Sequence, residues 1–144
     1  ILVIVIVGIQ FVPVDRTNPP THDGAFDPPP QVMEVVQRAC FDCHSNQTEW
    51  PWYSYVAPVS WLVASDVHEG REHLNLSTWG SLSPDKQKEE RAEMAEHVAE
   101  GEMPLPQYTW IHRGVIDEAG RRIIVDWGGG AEGSSEPEHE EHEH

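Results

Sequence analysis

Polar and apolar positions alternate at helical spacing in four stretches of the chain, and no stretch alternates with the two-residue period of a half-buried strand. Val32, Val35 and Val36 share one face of a first helix over residues 31–39, with prolines just before it where they are tolerated. Pro58 opens a second helix that carries Trp61, Leu62 and Val63, and Gly70 stands where a left-handed cap would stop it. Ser83-Pro84-Asp85 starts a third, with a hydroxyl cap, a first-turn proline and an acid at the positive end of the dipole; it ends at Gly101. Asp117 caps a fourth, through Trp127, with Ile123, Ile124 and Trp127 on one side and Gly120 as a weak point inside it. The expected fold is all-α.

The two ends do not follow this pattern. Residues 1–12, ILVIVIVGIQFV, are almost wholly aliphatic but fall short of the ~20 apolar residues that cross a bilayer. They read as the end of an N-terminal transmembrane anchor; the alternative is a buried β-strand, for which the chain offers no second strand to pair with. Residues 13–30 hold six prolines among polar residues and read as an extended spacer at roughly 3 Å per residue, able to hold the domain off a membrane. Residues 31–127 form the one domain. Residues 128–144, rich in Gly, Glu and His, cannot bury enough surface to order and read as a disordered tail. His139, His142 and His144 in it could bind a divalent metal weakly, or the tail is simply an acidic solubiliser.

At 144 residues and 38% hydrophobic, there is core for one domain and no more. Nine basic against 25 acidic residues give a formal charge of -16, which excludes nucleic acid as a partner and favours a basic docking face. Six tryptophans in so small a domain suggest a large flat apolar surface to be covered.

The only two cysteines make Cys40-Phe41-Asp42-Cys43-His44, the C-x-x-C-H spacing at which two thiols add across the vinyl groups of haem and the histidine reaches the iron. A thioredoxin-type pair would need a βαβ pattern, and a zinc site a second ligand pair; neither is present. A structural disulfide is the plainest alternative and is strained at this spacing. Met103, in Gly101-Glu102-Met103-Pro104, is the candidate second axial ligand, on a segment that Pro104 and Pro106 should hold extended. His68, His73, His97 and His112 compete with it, while Met33 and Met94 read as packing. The aromatic block Trp50, Trp52, Tyr53, Tyr55 and Trp61 is expected to wall the porphyrin. Arg71 and Asn75 are candidates to bind its propionates, with Arg71 equally suited to an ion pair with Glu69 or Glu72, and Trp79 after them counts among the lining residues.

The blocks CFDCHSNQTEWPWYSYVAPVSWLV, DVHEGREHLNLSTW and GEMPLPQY, in that order, resemble the small bacterial haem-binding domain family over roughly residues 8–127. The resemblance implies a monohaem c-type domain of cytochrome c-like helical architecture, anchored in the bacterial inner membrane and facing the periplasm. It implies attachment through Cys40 and Cys43, His44 as proximal ligand, and Met103 at the family's Met-Pro. The function expected is electron transfer between redox partner proteins, alone or as a subunit of a larger complex, with no catalysis of its own; the alternative is a peroxidase-like or ligand-sensing haem with an open distal site served by His68, His73 or His112.

Overall fold

The computed structural model describes residues 1–21 and 26–129. Among them the fold is all-helical, with no strand. Helix α1 spans Leu2–Ile9 and buries none of its residues, so the strand alternative for the N-terminus is set aside. No helix among the described residues is long and apolar enough to cross a membrane.

Helix α2, Pro30–Ala39, buries Val32, Val35, Val36 and Ala39, the stripe its spacing predicts. A short α3, Phe41–His44, follows at once and carries the second cysteine and the histidine. A 3-10 turn over Trp52–Tyr55 leads into α4, Val59–His73. Gly70 does not end α4: the helix runs three residues past it. The glycine is needed for close approach, since a Cβ there would lie 2.7 Å from the carbonyl oxygen of Cys43 and 3.1 Å from its Cβ. It therefore lets α4 lie directly on α3.

A second 3-10 turn, Leu76–Ser81, is opened by Asn75, whose side chain accepts from the Ser77 amide. Helix α5, Pro84–Glu100, has the ends its sequence announces: Ser83 Oγ accepts from the Lys86 amide, and Gly101 caps it at φ 77. Pro106 does not hold an extended segment; it opens α6, Pro106–Ile111, where its fixed φ suits a first turn. Helix α7, Glu118–Gly129, starts with Asp117 Oδ1 accepting from the Gly120 amide at 2.8 Å. It includes Gly128, where a Cβ would meet the Arg91 carbonyl and Ala95, so this residue belongs to the crossing of α5 and α7 and not to a tail. The proposed tail beyond it, and its histidines, lie outside the described residues.

The proline-rich segment is not a free spacer. Arg16 donates to the Ser54 carbonyl, Asn18 to that of Thr48, and Pro20 accepts from Asn46. Phe26 then enters the core, edge-on to Trp79 at 5.1 Å and to Trp127 at 5.6 Å. Burying one such ring contributes about 1.5–3 kcal/mol, enough to bind the strap to the domain. The packed unit thus begins before residue 31. Its core joins Phe26 to Val32, Val35, Val36, Leu76, Trp79, Val98 and Ile124.

Candidate functional site

The C-x-x-C-H run straddles the junction of two helices. Cys40 ends α2, its amide bonded to the Val36 carbonyl, and its own carbonyl accepts from the amides of Cys43 and His44. This tight turn brings both thiols and the imidazole to one wall of a cavity of about 460 Å³. The opposite walls come from α4 through Val63 and Val67, from α5 through Met94 and Val98, and from the loop after α5 through Met103 and Leu105.

His44 is held in one tautomer. Its Nδ1 lies 3.0 Å from the Leu74 carbonyl oxygen, which can only accept, so Nδ1 carries the proton and Nε2 keeps its lone pair. Burial pushes its pKa below the ordinary histidine value, favouring the neutral ring that ligates a metal. Burial likewise pushes both thiols up to about 12, for Cys40 helped by Cys43 and for Cys43 by the carboxylates of Asp42 and Asp66. No disulfide joins them. Disulfide exchange works through a thiolate available near neutral pH, so this pair is poorly suited to it.

Met103 is placed by α5 and α7 together. Past Gly101, the amides of Glu102 and Met103 both donate to the His97 carbonyl, at 3.0 and 3.2 Å. Arg121 of α7 reaches the carbonyls of Val98 and Met103 at 3.1 and 3.4 Å. The thioether is thereby carried on a fixed loop, half-buried at the cavity wall.

Several expected contributors lie elsewhere. Of the aromatic block, Tyr53 lines the cavity, whereas Trp50, Trp52, Tyr55 and Trp61 do not; Trp52 is 78% exposed. Trp79 is spent on the core against Phe26. Arg71 points to the strap side of α3, where its guanidinium donates to the Ser45 and Thr17 carbonyls, Asn18 Oδ1 and Thr48 Oγ1, each at 2.8 Å. It pairs with neither Glu69 nor Glu72. Asn75 joins the same network through Asn46 at 2.8 Å. The propionate role expected of Arg71 and Asn75 is not supported by their position, because the hydrogen bonds they make point away from the cavity and neither lines it. His68 faces Glu72 at 3.3 Å outside the cavity, whereas His73, His97 and His112 line it.

Other residues of the cavity are not conspicuous in the sequence. Met94 supplies a second thioether to its wall. Tyr108 donates to Asp42 Oδ2 at 2.9 Å and stacks on His112 at 4.3 Å, and His112 is bonded to the Tyr53 hydroxyl at 2.6 Å. Asp42, inside the motif, thus ties it to α6. No lysine or arginine lines the cavity among the described residues, while Asp42, Glu49, Asp66, Glu69, Glu90 and Glu93 do.

A family model described as a haem-binding domain matches residues 4–129, nearly the whole described chain. The chain belongs to the haem-binding domain family. No curated protein and no solved structure matches it. The cavity fits the group that the family binds. Haem requires an apolar cleft and a neutral imidazole with a free nitrogen, and the apolar walls and the His44–Leu74 bond provide both.

Proposed function

We propose that this haem-binding domain is a c-type cytochrome, holding one haem covalently through Cys40 and Cys43, with His44 and Met103 as axial ligands, and that it transfers electrons. The observation that carries the reading is the convergence of two thiols, one fixed neutral imidazole and one fixed thioether on a single apolar cavity. When bound, the haem iron supplies a one-electron carrier.

The chain's own residues set its conditions. Leu74 fixes the orientation of the His44 ring and raises its basicity as a ligand. Arg121 and the His97 carbonyl hold the Met103 loop, so little has to reorder when charge changes. Six carboxylates and, among the described residues, no lysine or arginine around the cavity favour the more positive oxidation state, which lowers the potential. The net charge of -16 suits partners with a basic docking face, free or within a membrane complex. An apolar α1 with no buried residue supports attachment to a membrane, which in this reading is the bacterial inner membrane with the domain on the periplasmic side.

A peroxidase-like haem with an open distal position is the second reading, favoured by His73, His97 and His112 on the same cavity. Acid-acetone extraction followed by intact mass measurement tests the attachment. One haem of added mass should stay on the chain and disappear in Cys40→Ser, Cys43→Ser; haem that extracts from the unaltered chain overturns the proposal.

A further inference from the structure

The chain between α1 and the domain, expected to hold the domain away from a membrane, instead ties the end of α1 to it. Gln10, one residue beyond α1, bonds the backbone of Ala57 from both sides: its Nε2 donates to the Ala57 carbonyl at 3.2 Å and its Oε1 accepts from the Ala57 amide at 2.9 Å. Arg16 repeats the attachment, donating to the Ser54 carbonyl and lying 4.4 Å over the ring of Tyr55. Ala57 sits in the middle of residues 52–62, and that stretch exposes Trp52, Tyr55, Val56, Val59, Trp61 and Leu62, from 39% to 78% of each. Two of them, Val59 and Leu62, also line the cavity, as does the exposed Ile111.

We propose that this face lies in the membrane interface beside α1, so that the cavity's apolar rim is turned toward the bilayer. The inference rests on the membrane attachment read above and deepens it. Its occupant is lipid, for three reasons. The face is joined to the end of α1 by the Gln10–Ala57 bonds, and residues 1–7 are at least half exposed and need an apolar surrounding. It is made of tryptophan and tyrosine mixed with aliphatics, the side chains that settle where apolar chains meet headgroups. And it offers no row of unpaired backbone groups for a strand to dock on, since Gln10 and Arg16 satisfy the carbonyls of Ala57 and Ser54. The strongly acidic chain favours zwitterionic over anionic lipid. Electrons would then enter or leave across this rim to a partner within or at the surface of the bilayer, not to one standing above it.

The test uses the full haem-loaded chain in phosphatidylcholine vesicles doped with a phosphatidylcholine that carries a photoreactive diazirine on its acyl chain, with labelled peptides identified by mass spectrometry. Label should fall both on residues 1–12 and on residues 52–62. Trp52→Glu, a change at an exposed side chain that leaves the haem spectrum intact, should remove most label from 52–62 and leave that on 1–12. Label confined to 1–12 overturns the docked face while the anchor stands. A chain that does not associate with the vesicles overturns the anchor and the face together. Cross-links between two copies through 52–62, in place of lipid label, would make the face a self-interface and overturn the proposal.

Discussion

The two sides of α3 are built on opposite principles. Toward the strap, Ser45, Asn46 and Thr48 sit in a closed polar network with Arg71, Asn75, Asn18 and Ser77, and the guanidinium alone bonds four oxygens at 2.8 Å. Toward the cavity, Cys40, Cys43 and His44 face mostly apolar walls, and a hydrogen bond from His44 Nδ1 to the Leu74 carbonyl orients the ring. The strap side is complete with the residues of the chain. The cavity side is arranged for a group that the chain does not itself contain. Fixing the motif from behind leaves its front free for that group.

Removing the back support should have the largest effect. Arg71→Ala takes away the four guanidinium bonds and loosens residues 13–20, which Arg16, Asn18 and Pro20 still hold, and with about 1.5–3 kcal/mol for each hydrogen bond to a charged donor, less where water replaces it, the loss should be about 3 kcal/mol. Urea unfolding measures it. Arg71→Lys should recover only a small part, because an ammonium cannot span the four oxygens. The absorption spectrum of the folded fraction should not change; a shifted spectrum with stability intact would mean that Arg71 serves the cavity and would erase the distinction.

Gly70 touches both sides, since it sets how close α4 lies to the carbonyl of Cys43. Gly70→Ala forces α4 off α3 and should cost about 2 kcal/mol of stability, as overpacking does. Unlike the change at Arg71, it should also perturb the haem spectrum, because α4 is a cavity wall.

The smallest effect is expected at Asp66, a cavity-lining carboxylate whose pKa is raised by burial and by Glu69, against the lowering bond from Gln107. A carboxyl with a raised folded-state pKa favours folding most below its unfolded value of 3.8, and that contribution is lost as pH rises through the folded value. Asp66→Asn should therefore stabilise the protein near pH 7, by less than about 0.5 kcal/mol after allowance for hydration, and not at pH 3. Thermal unfolding at the two pH values checks the sign.

The sequence announced what local chemistry decides. Ser83 and Gly101 around α5, Asp117 before α7 and the valine stripe of α2 each stand where they were expected. What it concealed depends on partners distant in the chain. Gly70 after an apolar run reads as a cap, and only the approach of α3 shows its other use. Phe26, the one aromatic in a proline-rich segment, gives no local sign that Trp79 and Trp127 will enclose it. Arg71 and Asn75 have the right chemistry for propionates but lie on the wrong side of α3, and Met94 packs on the core as its helix position suggests while also lining the cavity.

The central claim is that Cys40, Cys43, His44 and Met103 together hold one six-coordinate haem, and the near-infrared spectrum of the oxidised protein tests it most directly. Sulfur ligation gives a weak charge-transfer band there, which bis-histidine and open sites lack. The band should be present in the unaltered protein and in Met94→Ala, His73→Ala, His97→Ala and His112→Ala, and absent in Met103→Ala. Its absence from the unaltered protein, or its survival in Met103→Ala with loss in Met94→Ala, would contradict the account.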